Sequence, residues 1–259
     1  MNETLHVAAP TRRYVEHVMG MPISLALRGS HSNDLTARRS WRAVVERLQW
    51  IDQVFSTYRP DSFISRLGRG EISLGDCPPE VSEVLEIGER ARIESDGAFD
   101  VRRRAADGSA VLDPSGVVKG WAVQRASTLL LDLDATDFCL SAGGDMVCHV
   151  AAVDSQPWRV GIEDPRDPSR LVAVVPVRNS AVATSALTHR DAHVVDARTG
   201  EVPREVASVT VIARDLVDAD VDATAAFAQG ADALTWLTSR PGRSGLVIKD
   251  DGTTHLFGP

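Results

Sequence analysis

The stretch "FCLSAGGDMVCHVAAV", residues 138–153, decides the fold class that we predict for this chain. Two apolar runs flank the Gly143-Gly144 pair, and paired glycines between such runs are typical of a turn between strands. Similar short apolar runs, separated by Gly, Pro, Asp and Asn, follow one another from residue 137 to residue 213. Strands connected in this way predict hairpins, and therefore a mostly antiparallel sheet.

Helical patterns lie before and after this strand-rich part, and a strand is predicted over residues 22–28. The predicted helices cover residues 33–55, residues 79–95, a stretch that ends at Leu131, and residues 219–239 with a break at Gly230. Two final strands flank the Asp251-Gly252 turn signal. Strands in series with helices grouped between them, without a low-complexity linker, predict an α+β fold in one domain, residues 1–259.

Composition narrows the possible partners. The net charge is −8 and the isoelectric point is about 5.4, which disfavours a nucleic-acid groove. The basic cluster at residues 102–104 is too short for a phosphate-binding stripe, and we predict a solvated loop there. No run approaches the roughly 20 apolar residues of a membrane span, and the first residues lack an apolar signal region. We therefore expect a cytoplasmic protein without a membrane span.

The three cysteines give little indication of chemistry. Cys77, Cys139 and Cys148 form an odd set with no CxxC pair, which indicates neither a disulfide framework nor a zinc site. Cys139 and Cys148 lie in apolar runs, so we predict buried and inert thiols at both positions.

The stretch "LDPSGVVKGWAV", residues 112–123, precedes and begins a predicted helix. Gly116 and Gly120 allow close backbone approach, and free N–H groups at a helix start favour an anion. Lys119 adds a point charge for a phosphate or carboxylate. An exposed lysine at an ordinary turn into a helix explains the pattern equally well.

Two acidic motifs carry similar alternatives. In "LSAGGDMV", residues 140–147, the bare backbone could lie against a ligand while Asp145 accepts a hydrogen bond, or the glycines could simply form a turn. In "DADVDATAAFAQG", residues 218–230, Asp220 and Thr224 are four residues apart on one helical face. Their oxygens suit Mg²⁺, but acids at a helix start also complement its dipole.

The stretch "AHVVDARTGE", residues 192–201, contains a histidine before a predicted turn at Thr199-Gly200. A regular strand would place Asp196 on the face opposite His193, because the two residues are three positions apart. Both a structural and a catalytic histidine are compatible with this pattern.

Taken in order, these motifs resemble the ApbE family of FAD:protein FMN transferases. The resemblance extends from "HVMGM" at residues 17–21 to the helix that reaches Gly230. It includes "FSTYRPDSFISRLG", "DGAFDV", "LDPSGVVKGWAV", "SAGGDM", "PWRVGIEDP", "VATS", "HVVDARTG" and "SVTVIA…DADVDAT". It implies a single ApbE-like (T-fold-like) domain of mostly antiparallel sheet with helices packed on it.

The resemblance also implies the roles of individual residues. By this resemblance, Mg²⁺ is expected to be held by the main-chain carbonyl of Val118, the carboxylate of Asp220 and the hydroxyl of Thr224. Lys119 is expected near the FAD pyrophosphate, and His193 is expected to be required for transfer. The residues implied to bind FAD are Met19, Tyr58, Gly97, Ala98, Phe99, Asp100, Lys119, Ser141, Gly143, Gly144, Asp145, Thr184 and Ser185.

The reaction implied by the resemblance moves FMN from FAD to a Thr or Ser hydroxyl of an acceptor flavoprotein and releases AMP. Hydrolysis of FAD to FMN and AMP, or FAD binding without catalysis, are the alternatives. Gln124 stands where the family usually has Asp, which removes one candidate carboxylate near the ligand, and Ala197 stands where proline is usual.

Overall fold

The computed structural model describes residues 10–104, 108, 110–186 and 194–258. The strands are β1 (Arg12–Val18), β2 (Met21–Gly29), β3 (Arg102–Arg104), β4 (Ala110–Leu112), β5 (Thr136–Ala142), β6 (Asp145–His149), β7 (Trp158–Asp164), β8 (Asp167–Val177), β9 (Ser180–Ala186), β10 (Ser208–Ala213), β11 (Ser244–Ile248) and β12 (Thr254–Phe257). The helices are α1 (Leu35–Phe55), α2 (Phe63–Gly68), α3 (Pro79–Glu94), α4 (Ser115–Ser127), α5 (Leu216–Ala228) and α6 (Ala233–Thr238). The predicted α+β class is confirmed.

One antiparallel sheet of eight strands organises these elements, in the order β1-β2-β5-β6-β9-β10-β11-β12. Two strands, then helices, then two strands form the first half of the sheet, and the same element order recurs in the second half. The halves join where β6 pairs with β9. α4 precedes the second hairpin of the first half, and α5 lies between β10 and β11 in the second half.

Helix boundaries follow local capping and periodicity. α1 begins after Asp34, whose side chain accepts a hydrogen bond from the Ala37 N–H at 2.8 Å. Val44, Leu48 and Ile51 of α1 are fully buried, as helical spacing predicts. No helix within the described residues is both long and apolar enough to cross a membrane.

The sheet has a different covering on each face. Phe138 and Leu140 of β5 belong to the main core with Val118 and Trp121 of α4. A smaller core on the other face contains Cys148 together with residues of the β7–β8 hairpin. The helices and the β7–β8 hairpin therefore cover opposite faces of the sheet.

Several local predictions were wrong. Residues 102–104 form β3, paired with β4, and not a loop. β6 ends at His149, whereas the apolar run predicted a strand to Val153. The third helix ends at Ser127 and continues as a single 3₁₀ turn through Leu130. Residues 194–196 are irregular and do not form the predicted strand.

Candidate functional site

The packing of α4 against α5 builds the centre of the site. Gly116 of α4 faces Thr224 of α5, and four residues later Gly120 faces Asp220. A further four residues along, the Gln124 side chain accepts a hydrogen bond at 2.8 Å from the first N–H of α5, that of Leu216. The two helices are therefore antiparallel, with contacts at every fourth residue of each.

The two glycines permit this close approach. A Cβ atom at position 120 would lie 2.7 Å from Asp220 Cβ and 2.8 Å from the Leu216 carbonyl oxygen, and one at position 116 would lie 2.9 Å from Phe99 Cε2. The first-turn N–H groups of Ser115 and Val117 already donate to Asp113 Oδ1 and to the Pro114 carbonyl. The glycines therefore serve packing of the helices, and the predicted anion contact at this helix start stays a prediction.

Lys119 lies between two buried carboxylates. Its Nζ is 2.5 Å from Asp145 Oδ2 and 3.1 Å from Asp220 Oδ1. Asp145 is fully buried and Asp220 is 1% exposed, whereas the Lys119 side chain is 23% exposed. The second oxygen of Asp220 accepts the Gly120 N–H at 2.8 Å. The exposed-lysine alternative is therefore wrong.

The protonation of this cluster reflects burial and charge. Burial opposes the charge on Lys119, but Asp145 and Asp220 outweigh this effect and raise its pKa above the ordinary value. Burial raises the pKa of Asp220 to about 7, the Asp145 charge adds to this, and the Lys119 ammonium opposes it. With both carboxylates ionised, the three groups carry an excess of one negative charge, which favours a bound cation.

Asp145 is positioned by the turn between β5 and β6. Gly143 and Gly144 both have positive φ angles, of 57° and 97°, which a two-residue hairpin turn of this kind requires. The backbone pairing of β6 with β9 ends at Met146, which is opposite Val182. At the next residue of β6, the Asp145 side chain takes over, because its Oδ1 accepts the Thr184 N–H of β9 at 3.0 Å. Asp145 therefore accepts a hydrogen bond from the protein itself, and its predicted contact with a ligand stays a prediction.

Hydroxyl groups extend the cluster along α5. Thr224 Oγ1 lies 3.2 Å from Ser185 Oγ. The hydroxyls of Thr184 and Thr210, 2.9 Å apart, alternate with core residues of β9 and β10 and lie on the opposite face of the sheet. Within the described ranges, no group of three or more His, Cys, Asp or Glu side chains could hold a metal. A metal here would therefore depend on hydroxyl and carbonyl oxygens as well as on carboxylates.

The neighbouring acids of α5 have a different environment. Asp222 is 1% exposed and pairs with Arg240 at 2.9 Å and Arg243 at 2.6 Å, and Asp218 pairs with Arg243 at 2.9 Å. Asp220 and Asp222 thus bind different cations from two sides of one helix. The alternative, in which exposed acids only complement the dipole of α5, is therefore wrong for Asp220 and Asp222.

The segment that follows α3 connects to the predicted catalytic loop. The Ala98 carbonyl accepts the Ala197 N–H at 3.0 Å, and a Cβ at Gly97 would lie 3.6 Å from Arg198 Cγ. Arg198 pairs with Asp196 at 2.7 Å. His193 lies outside the described residues, so its predicted role stays a prediction.

Met19 and Tyr58 occupy a second region. Met19 is the first residue of the tight turn between β1 and β2 and has a φ of 57°, which is unusual for a residue with a side chain. It lines an open cavity of about 560 Å³ together with His17, Asp52 and Arg59. Tyr58, which precedes Arg59 in the chain, is 92% exposed.

A comparison with known proteins assigns the chain to a family. The family model described as the ApbE family matches residues 19–107 and 102–247. The chain belongs to the ApbE family. The matched residues include the Met19 turn, the Lys119 cluster and Thr224, so the whole candidate site lies within the match.

Curated relatives and solved structures agree with this assignment. The chain is 28% identical over 151 residues to the FAD:protein FMN transferase of Escherichia coli, which covers 54% of this chain and 43% of that protein. For the Rhodobacter capsulatus protein of the same name, the values are 31% over 159 residues, 58% and 30%. The chain thus aligns with less than half of the length of these relatives.

The fold matches solved ApbE structures over nearly the whole chain. The ApbE protein from Thermotoga maritima superposes with a TM-score of 0.83 at 21% identity, over 96% of this chain and 97% of that one. The Pseudomonas stutzeri flavinyl transferase ApbE, in its apo form, gives 0.80 at 20% identity, over 97% and 96%. The predicted ApbE-like fold is therefore confirmed.

Two sequence-based assignments in this ApbE chain acquire a different meaning. Gln124, interpreted as a lost carboxylate near the ligand, instead caps the first turn of α5. Ser141 alternates with the buried residues Leu140 and Ala142 along β5, so its side chain lies on the face opposite the Lys119 cluster. Contacts across helices, such as that of Gln124, leave no signal in local sequence.

Gly120→Ala tests the helix contact in this ApbE chain. Alanine normally favours a helix by about 0.5–1 kcal/mol over glycine, but here its Cβ would overlap Asp220 and Leu216. We expect the free energy of unfolding to fall by about 1–3 kcal/mol in urea denaturation. Gly68→Ala, at an exposed position of α2 with its nearest atom at 3.4 Å, is the matched control and should not destabilise. An equal effect of both substitutions would contradict the packing role of Gly120.

Proposed function

We propose that this protein transfers FMN from FAD to a Thr or Ser hydroxyl of an acceptor protein and releases AMP. The observation that carries the proposal is the buried Lys119–Asp145–Asp220 cluster, with the Thr224 hydroxyl one helical turn further along α5. Membership of the ApbE family and the names of the aligned relatives support the same reaction. Phosphoryl transfer depends mainly on positioning and charge neutralisation, which such a cluster provides.

The donor set fits Mg²⁺. Asp220 and Thr224 present oxygen atoms on one face of α5, and such hard donors are those that Mg²⁺ prefers. Among the described residues, the Lys119 ammonium is the single polar contact of the buried Asp145 Oδ2, so this carboxylate also has capacity for a cation. We propose that Asp220, Thr224 and the Val118 carbonyl hold the ion, which when bound would stabilise negative charge on the pyrophosphate.

Each protein group then has a distinct task. Lys119 is the movable cation, since its partly exposed side chain can shift from the carboxylates towards a phosphate oxygen. Asp145 holds the ammonium near the site and is itself fixed by the Thr184 N–H. His193 would accept the proton of the attacking hydroxyl as that oxygen bonds to the FMN-side phosphorus and the bond to AMP breaks.

The FAD pocket is proposed on the residues that the family resemblance implies. Residues 97–100 include Phe99, whose ring packs against Gly116 at the start of α4. Gly143 and Gly144 precede Asp145, the Thr184 N–H donates to it, and the Ser185 hydroxyl lies against Thr224. The Met19 cavity and exposed Tyr58 would contact a more distant part of the dinucleotide.

The test mixes the full chain with FAD, Mg²⁺ and an acceptor protein that carries an Asp-x-x-[Thr/Ser]-x-Ala-Thr segment. We expect in-gel flavin fluorescence on the acceptor, release of AMP in equal amount, and no labelling of an acceptor whose Thr or Ser is replaced by Ala. FAD should also bind more tightly than FMN, since both halves of the dinucleotide are proposed to be bound. Free FMN and AMP without labelling would identify a pyrophosphatase, and unchanged FAD would identify a binding protein.

A further inference from the structure

Two cysteines face each other across the hairpin formed by β5 and β6. Cys139 and Cys148 are direct partners in the antiparallel register, and their sulfur atoms are 3.7 Å apart. Directly opposed residues in antiparallel strands have Cα atoms about 4.5–5.5 Å apart, and disulfides span about 4.4–6.8 Å. The strands therefore already have the spacing of a disulfide, and side-chain rotation has to bring the sulfurs to about 2.0 Å.

The two thiols differ in exposure. Cys148 is 1% exposed and packs with Val160, Val177 and Val182 beneath the β7–β8 hairpin. Cys139 is only partly buried, so a small reagent in solution reaches it first. One accessible thiol beside one buried thiol is the arrangement in which the first reacts and the second completes the bond.

Hydrogen bonding reinforces this difference. The Cys148 thiol donates to the Cys139 sulfur, which lowers the pKa of Cys139 against the opposing effect of burial, and Arg13 lowers it further. The same hydrogen bond and burial raise the pKa of Cys148. Cys139 is therefore the nucleophile of the pair, because the thiolate is the reactive form.

We propose that Cys139 and Cys148 are a redox modification site that forms a reversible cross-strand disulfide. The oxidant is a low-molecular-weight disulfide. The Cys139 thiolate attacks one of its sulfurs, forming a mixed disulfide and expelling one thiolate. Cys148 then loses its proton to solvent, its sulfur attacks Cys139 and a second reagent thiol leaves. Two electrons pass from the protein to the reagent.

The two cysteines belong to the same β5–β6 hairpin as Asp145 of the candidate site. Cys139 pairs with Cys148 and Ala142 pairs with Asp145 in the same hairpin. Two residue pairs, Leu140–Val147 and Ser141–Met146, lie between them. The disulfide would therefore fix the hairpin that carries Asp145. The proposal itself does not rest on flavin transfer, and it replaces the expectation of two inert thiols.

The test counts thiols in the intact chain after incubation with excess oxidised glutathione, removal of the reagent and denaturation. We expect both hairpin thiols to be lost, to return on reduction, and to yield a linked peptide pair containing Cys139 and Cys148, whereas Cys77 can take up at most one glutathione. Cys77→Ser is the matched control, because Cys77 lies outside this hairpin, and its two remaining thiols should both disappear.

Two further variants separate the two steps. In the Cys77→Ser background, Cys148→Ser should stop at the mixed disulfide and gain the mass of one glutathione, whereas Cys139→Ser should react at least about tenfold more slowly, since only the buried thiol remains. Cys148→Ala serves if the serine variant fails to fold. Three unchanged thiols in wild type, a stable mixed disulfide on wild-type Cys139, or a link through Cys77 would each overturn the proposal.

Discussion

Asp220→Asn is expected to reduce flavin transfer by at least about 100-fold while lowering the free energy of unfolding by less than about 1 kcal/mol. Asparagine keeps the size of the side chain and can still accept the Gly120 N–H, but it lacks the charge proposed to hold Mg²⁺. The fold should tolerate the neutral group, because burial already raises the pKa of Asp220 to about 7 and Lys119 retains Asp145.

Asp222→Asn is the matched control on the same helix. Asp222 is as buried as Asp220, but it pairs with Arg240 and Arg243 on another side of α5. Removing one partner of such a buried ion pair costs about 3–5 kcal/mol. We therefore expect this variant to lose stability in urea denaturation but to keep its transfer rate per folded molecule.

The pair of variants is measured by transfer rate, Mg²⁺ titration and urea denaturation. The expected result is opposite behaviour: Asp220→Asn loses activity and Mg²⁺ response, and Asp222→Asn loses stability. If Asp220→Asn kept normal transfer at limiting Mg²⁺, or if both variants lost only stability, the proposed metal role of Asp220 would be wrong.

The acids of α5 also show the limit of sequence interpretation. Asp218, Asp220 and Asp222 occur at every second position of one short segment. The four-residue spacing of Asp220 and Thr224 correctly predicted that these two residues share a face of α5. Their partners come from α4 and from residues 240–243, which are distant in sequence. Local pattern could not tell which acid meets a lysine and which meets arginines.

Strand β1 illustrates a failure of a different kind. Its sequence "RRYVEHV" is charged and mostly exposed, so it shows no apolar alternation, and no strand was predicted there. It forms because each residue pairs with β2 at the edge of the sheet. Backbone pairing to an established neighbour, and not burial, determines this strand, and its neighbour β2 was predicted from an apolar run.

The glycines of α4 show how a locally predicted feature can have a cause that is distant in sequence. Close backbone approach was correctly expected at Gly116 and Gly120, yet the approaching atoms belong to Phe99 and α5 instead of an anion. Because α4 belongs to the first half of the sheet and α5 to the second, this contact joins the halves at the site. Lys119 and Asp145 come from one half, and Asp220 and Thr184 come from the other. Small displacements of one half against the other would therefore separate the charged groups.

The described residues that follow the predicted catalytic histidine are anchored to the core. Val194, the next residue, packs against the main core. Three residues further, the Ala197 N–H donates to the Ala98 carbonyl, beside the Phe99 ring that contacts Gly116. Val194 and Ala197 are therefore attached to the core and to the Phe99 segment.

His193→Ala is expected to reduce flavin attachment by about 10²–10⁴-fold, the usual contribution of a general base, while FAD affinity changes by less than about threefold. The imidazole is proposed to act on the acceptor hydroxyl and not on the dinucleotide. The measurement is in-gel flavin fluorescence of a co-expressed acceptor, together with FAD titration of the purified variant. His255→Ala, on the edge strand β12, is the control and should label the acceptor like wild type. Equal labelling by His193→Ala and wild type would exclude the catalytic role, and a parallel loss of FAD affinity would instead place His193 in the dinucleotide pocket.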